Sequence, residues 1–148
     1  MPLWIVYHPE DTFVDTASKE AFSKDITSYY TKNDIPAFYV VVNFIAIPTG
    51  STWVGGKIPE KPFIRLTIDH LARTVPPERF QPMTAHLNAL MKPHITDKGY
   101  DHEFHITQSE KDLWRINGLI PPPFESEARE TWFRLDKPVP YEGHPEFA

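Results

Sequence analysis

Apolar and polar positions along the chain fall into two matching cycles. Leu3 to Tyr7 are strand formers bounded by His8-Pro9, and they predict a β-strand that opens on Pro2. His8-Pro9-Glu10-Asp11 reads as a turn. Asp15 or Thr16 then caps a helix predicted to run to about Thr31. Ala21, Phe22, Ile26, Tyr29 and Tyr30 share one stripe of it, while Lys19, Glu20, Lys24 and Asp25 face water. Ala37 to Ile47 is nearly continuous β-branched and aromatic sequence, the pattern of a strand buried on both faces and paired in parallel. After the turn Pro48-Thr49-Gly50-Ser51, Thr52-Trp53-Val54 predicts a short hairpin strand closed by Gly55-Gly56.

The second cycle repeats the first. Pro62 to His70 is again a strand opening on proline. Pro76-Pro77 leads into a helix in which Phe80, Met83, Leu87, Leu90 and Met91 keep helical spacing. Pro93 ends it and Asp97-Lys98-Gly99 stops the chain before a strand from Tyr100 to Thr107. Each strand–helix–strand cycle has the size of a βαβ unit. The expected architecture is therefore α/β. Tandem βαβ units over residues 1–56 and 57–108 form a four-stranded sheet with two helices on one face, and residues 109–148 are a carboxyl-terminal extension of the same single domain. In that extension Glu110 to Trp114 predicts a short helix, Asn117-Gly118 a turn, Leu119-Ile120 an edge strand and Glu125 to Leu135 a last helix. Pro121-Pro122-Pro123 is a stiff linker. From Asp136 the chain carries Pro138, Pro140 and Pro145, and an extended tail lying over a neighbouring subunit is expected.

Composition narrows the function classes. At 148 residues with 41% hydrophobic and 14% aromatic content, the chain suits one packed domain. The net charge of -5 comes without a lysine or arginine run, which argues against nucleic-acid or anionic-membrane partners. No apolar run approaches a membrane span and no signal-peptide pattern is present, so a cytoplasmic protein is expected. The absence of cysteine removes disulfides, thiolate metal sites and a cysteine nucleophile. His102 and His105 lie three apart on a predicted strand and so point to opposite faces, which does not suit a shared metal ion.

Pro2 carries the candidate chemistry. A small residue after the initiator methionine favours trimming, which would make Pro2 the amino terminus. A free α-amino group titrates near ~7.7–8.0, and burial or a neighbouring cation lowers it into the range of a base near neutral pH. Arg73 follows a strand end, where such sheets tend to hold ligands, and its planar guanidinium suits a carboxylate. His70 shares alternation parity with Ile64, Leu66 and Ile68. It reads equally as a core histidine or as a group that orients substrate. Arg115 is a further candidate cation, and Tyr30 and Phe104 are candidate packing or pocket residues.

The strand opening on Pro2, the tandem βαβ units, Val42-Asn43-Phe44, Gly55-Gly56 and the segment Asp69-His70-Leu71-Ala72-Arg73 together resemble the tautomerase superfamily. They are most similar to the cis-3-chloroacrylic acid dehalogenase-like group and its fungal members, over roughly residues 2–135. The resemblance implies a homotrimer with the tautomerase fold. It also implies a processed proline in a hydrophobic pocket, cations that hold a small carboxylate substrate, and no metal or organic cofactor. Pro2 matches the catalytic proline and Arg73 the second of two substrate-binding arginines, whereas the first arginine's place is taken by His70. The group's helix histidine falls at Tyr30, its tyrosine near Phe104 and its water-activating glutamate near Arg115. Loss of that glutamate favours keto–enol tautomerisation of a 2-oxo acid over hydration or dehalogenation of a 3-substituted acrylate. The missing histidine, tyrosine and glutamate also motivate a non-catalytic trimer as the alternative.

Overall fold

The computed structural model describes residues 1–144. Strand β1 (Pro2–Pro9), helix α1 (Thr16–Thr31) and strand β2 (Val41–Ile47) form the first cycle; β3 (Phe63–Leu71), α2 (Phe80–Met91) and β4 (Asp101–Ser109) form the second, and α3 (Glu127–Leu135) follows. The sheet order is β2-β1-β3-β4. Each βαβ crossover pairs its own strands in parallel, and the two cycles meet antiparallel along β1 and β3.

Strict alternation builds the core. Trp4 and Val6 on β1 and Ile64, Leu66 and Ile68 on β3 point to one side, where Phe22 and Ile26 of α1 and Leu87 and Met91 of α2 meet them. Both helices thus cover the same face of the sheet. Asp15 caps α1 by accepting from the Ser18 backbone N–H at 2.6 Å. Pro82 fits the first turn of α2, where its missing N–H has no helical partner to lose. His94, just beyond α2, is buried against Phe22 and pairs with Asp25 at 2.6 Å, which ties the two helices together.

Several elements differ from the sequence pattern. Residues Ala37–Tyr39 form a 3-10 turn, not strand, because Pro36 opens a turn that Tyr39 closes back onto the Pro36 carbonyl. The strand that remains lies at the sheet edge and is only half-buried or exposed along its length, since no helix among the described residues covers its second face. The predicted hairpin at Thr52–Val54 reduces to one bridge, Val54 to Lys57, around Gly55 and Gly56 at φ 58° and 75°. The predicted edge strand at Leu119-Ile120 is likewise a single bridge from Leu119 to Ile116 across the Asn117-Gly118 turn. Ala21 and Phe80, assigned to core stripes, are exposed.

The tail also takes a different course. Tyr39, Trp114 and Trp132 form a second apolar cluster, against which Val139 and Tyr141 pack. Trp132 Nε1 donates to the Val139 carbonyl at 2.7 Å, and the Tyr141 hydroxyl donates to the Ile120 carbonyl at 3.0 Å. The segment after Asp136 therefore folds onto its own chain, because the extension holds enough aromatic surface to bury it locally; Pro145 lies outside the described residues. Trp132→Ala, which empties this fully buried site, is expected to cost about 3–5 kcal/mol in urea unfolding. A loss below about 1 kcal/mol would show that the cluster does not hold the extension.

Candidate active site

The antiparallel pairing of β1 and β3 places Pro2 directly opposite His70. Both belong to the buried parity of their strands, so both point to the helix-covered side at the same end of the sheet. There the last turn of α1 brings Tyr29 and Tyr30, and the first two turns of α2 bring Met83 and His86. The result is a cleft of about 630 Å³ whose lining includes Pro2, Tyr30, His70, Arg73, Arg79 and His86.

The chain leaves β3 through Ala72 at φ 67°, a left-handed conformation that a non-glycine residue adopts at a cost. The Ala72 N–H is fixed to the Ser109 carbonyl at 3.1 Å, so the end of β4 holds the bend. The bend turns Arg73 to the mouth of the cleft, where its side chain stays exposed and donates a long 3.4 Å hydrogen bond to the Asn33 carbonyl.

At the cleft floor runs a buried chain of polar groups. Trp4 Nε1 donates to the Tyr30 hydroxyl at 3.0 Å, and that hydroxyl lies 2.8 Å from His70 Nε2. Burial pushes the Tyr30 phenol well above its ordinary range, so it keeps its proton. Burial, then the nearby amino terminus and Arg73, lower His70 to about 4 against the opposing pull of Asp69, so the imidazole is neutral near pH 7. Tyr29 is also raised, chiefly by burial, with Arg73 and Arg79 acting the other way.

With Met1 attached, the Pro2 nitrogen is an amide and has no basicity. Met1 continues the antiparallel pairing by one residue: its amine donates to the Leu71 carbonyl at 2.5 Å and its carbonyl accepts from the Leu71 N–H at 2.7 Å. That amine is lowered from 8.0 to about 5, first by burial and then by the Arg73 charge. The Met1 amine is therefore driven toward its neutral form by its surroundings.

Of the residues singled out from sequence, Pro2, His70, Arg73 and Tyr30 line the same cleft. Phe104 and Arg115 do not. Phe104 pairs with Leu66 from β4 and packs against the main core, stacked on His102. Arg115 is exposed beyond the turn 111–113 and donates to the Trp114 carbonyl at 2.9 Å. His102 reaches Asn88 at 3.0 Å and His105 reaches Arg65 at 2.6 Å. Among the described residues, no group of three or more His, Asp or Glu converges to hold a metal ion. Sequence reasoning missed Tyr29, Arg79 and His86 as cleft residues. The one available signal was helical spacing, since Arg79, Met83 and His86 fall at i, i+4 and i+7 on the flank of the apolar stripe of α2.

Fold and cleft together define a tautomerase-superfamily protein. The family model described as "Putative oxalocrotonate tautomerase enzyme" matches residues 1–137, and the chain belongs to this family. RhCC from Rhodococcus jostii RHA1 is 38% identical over 94% of this chain and 99% of that one, with a TM-score of 0.88. A protein described as a probable enzyme from the thermophilic fungus Aspergillus fumigatus is 38% identical over 95% of this chain and 98% of that one, with a TM-score of 0.86. At 17% identity, N1, a member of the cis-3-chloroacrylic acid dehalogenase family, shares the fold over 89% of this chain and 90% of that one, with a TM-score of 0.65. No curated protein matches the chain. No helix among the described residues is long and apolar enough to cross a membrane.

The depressed groups carry a stability signature. The Met1 amine titrates near 5 in the fold against 8.0 ordinarily, and His70 near 4 against 6.5, so unfolding takes up protons between those values. Their contribution is complete above pH 8 and is lost as the pH falls toward 4. In the Met1-bearing chain, His70→Asn is expected to flatten the lower part of this slope, between pH 6.5 and 4, in urea-unfolding free energies measured against pH. Parallel curves for parent and variant would assign the slope to other groups.

Proposed function

We propose that this protein is a cofactor-independent tautomerase of a small 2-oxo acid, with Pro2 as the proton-transferring base once it is the amino terminus. The observation that carries this reading is the position of Pro2, buried opposite His70 in the cleft that Arg73 also lines. Pro2 nitrogen takes a proton from the carbon next to the keto group. The C–H pair forms the new C=C bond and the keto oxygen gains negative charge. Arg73 anchors the carboxylate in two-point fashion, and the aromatic walls of Tyr29 and Tyr30 exclude water from the reacting carbon. Arg79 and His86 are further candidates for contact with the distal end of the substrate.

Hydration or dehalogenation of a 3-substituted acrylate is the runner-up. It asks for a protonated proline as acid and a group that prepares water. The lowering of an amine at this place and the position of Arg115 outside the cleft both favour the neutral base instead. The reading includes assembly as a homotrimer. Supporting it, Leu3, Ile5, Tyr7 and the 41%-exposed Ile45 lie on the sheet face that the helices leave open.

In trimmed enzyme assayed with phenylpyruvate, Pro2→Ala is expected to lower kcat about 10²–10⁴-fold, the usual worth of a positioned base. Arg73→Ala is expected to raise KM about 10–100-fold, the loss of a charge-assisted pair. The acid limb of kcat/KM is expected well below the ~7.7–8.0 of a free α-amine, since the rate is lost only when the base becomes protonated. Equal rates for trimmed parent and Pro2→Ala would leave a non-catalytic protein of this fold as the better reading.

A further inference from the structure

We infer that Tyr30, itself fixed by Trp4, locks His70 in the tautomer that carries its proton on Nδ1, so that a neutral imidazole N–H faces the cleft and donates to the enolate oxygen. The inference rests on the tautomerase reading and adds to it the group that meets the developing charge.

The argument is a proton count along the buried chain. An indole N–H donates and cannot accept, so at the Trp4 contact the Tyr30 oxygen is the acceptor. Tyr30 keeps its own proton, and its hydroxyl has one other partner, His70 Nε2 at 2.8 Å. Were Nε2 protonated, two donors would point at the phenol oxygen and the phenol proton would be stranded in a buried site. With Nε2 bare, every group is paired: Trp4 gives to Tyr30 and Tyr30 gives to His70. The neutral ring then carries its proton on Nδ1. Nδ1 makes no hydrogen bond among the described residues, and no polar side-chain atom is left buried without a partner, so Nδ1 opens to the cleft that His70 lines.

The charged and titratable groups that bear on the ring are the amino terminus, Arg73 and Asp69. Burial, the largest cause, together with Arg73 and the amine when it is charged, outweighs Asp69, which keeps the ring neutral and the proton count valid near pH 7. The step balances as follows. Pro2 nitrogen removes the proton from carbon, the electron pair moves into the C=C bond, and the keto oxygen becomes an enolate. His70 Nδ1–H donates a hydrogen bond to that oxygen without giving up its proton, the oxygen takes a proton from water, and the proton held on Pro2 neutralises the hydroxide so formed and restores the base. His70 is thus a catalytic residue, and Tyr30 and Trp4 are positioning residues that act through it.

The test is ¹⁵N NMR of the imidazole in Met1-trimmed protein at pH 7, assigned by comparison with His70→Asn, together with kinetics of Tyr30→Phe on phenylpyruvate. The expected spectrum shows a protonated Nδ1 and a bare Nε2 for His70. Tyr30→Phe is expected to convert it to mixed tautomers, with kcat lowered about tenfold or more and KM within about twofold, because the donor is misplaced while the anchor is intact. A protonated Nε2 or an imidazolium in the parent spectrum overturns the inference, and it does so even where Tyr30→Phe folds poorly. An unchanged tautomer and kcat in a folded Tyr30→Phe overturns the positioning role. Nδ1 protonation alongside full activity in Pro2→Ala would remove the base reading, and with it the enolate role of His70. An Nε2 proton alongside an inactive Pro2→Ala would remove only the inference.

Discussion

The antiparallel pairing of β1 with β3 is the constraint on which the site depends. Each strand belongs to a different βαβ cycle, and each has a parallel partner on its other side. The junction of the two cycles lies at the centre of the sheet, where register is fixed by two buried rows: Trp4 and Val6 against Leu66 and Ile68. A slip of one residue would turn both rows to the open face. The same register sets Pro2 opposite His70, so the core that stabilises the fold also aligns the first residues of the chain with the end of β3. The amino terminus, normally a frayed and mobile part of a protein, is held here on the central strand pair.

Burial at that place has an electrostatic consequence. A terminal amine and an imidazole, both sunk in the cleft floor beside the Arg73 charge, are each pushed toward the neutral form. In the open that combination would cost little. In a cleft walled by Tyr29, Tyr30 and Met83 it selects groups that accept or share protons near neutral pH and leaves the fixed positive charge to arginine. The departures from the family pattern at His70 and Tyr30 are coupled in the structure, since the two residues share one hydrogen bond. Where the resemblance has an arginine and a histidine, this chain has an imidazole and a hydroxyl in hydrogen-bond contact.

Much of this was legible in the sequence because it rests on short periods. Alternation along β1 and β3, the Asp15 cap and the proline openings of both strands carry local signals, and Pro2, His70, Arg73 and Tyr30 follow from them and from the family resemblance. What was not legible depends on how separate elements meet. No local pattern says that the His86 ring meets Tyr29 or that Arg79 joins them in lining the cleft. The bend at Ala72 leaves no trace, since alanine, unlike glycine, does not advertise a positive φ. Phe104 and Arg115 were placed by carrying positions over from a distant pattern, and in this chain the first packs into the core while the second borders the Trp114 turn. The tail misled for a related reason: Val139 and Tyr141 sit between prolines with no period to mark the face that docks on Trp132.

The central claim is that a free proline nitrogen at the head of β1 is neutral, reactive and held within reach of Arg73. Peptide mass spectrometry of Met1-trimmed protein, after brief exposure near pH 7 to a 3-halopropiolate, tests it most directly. The reagent offers a carboxylate for Arg73 and an electrophilic carbon for the amine. The account expects a single adduct on Pro2 that Arg73→Ala slows. An unmodified Pro2, or labelling spread over surface lysines at the same rate, would contradict it.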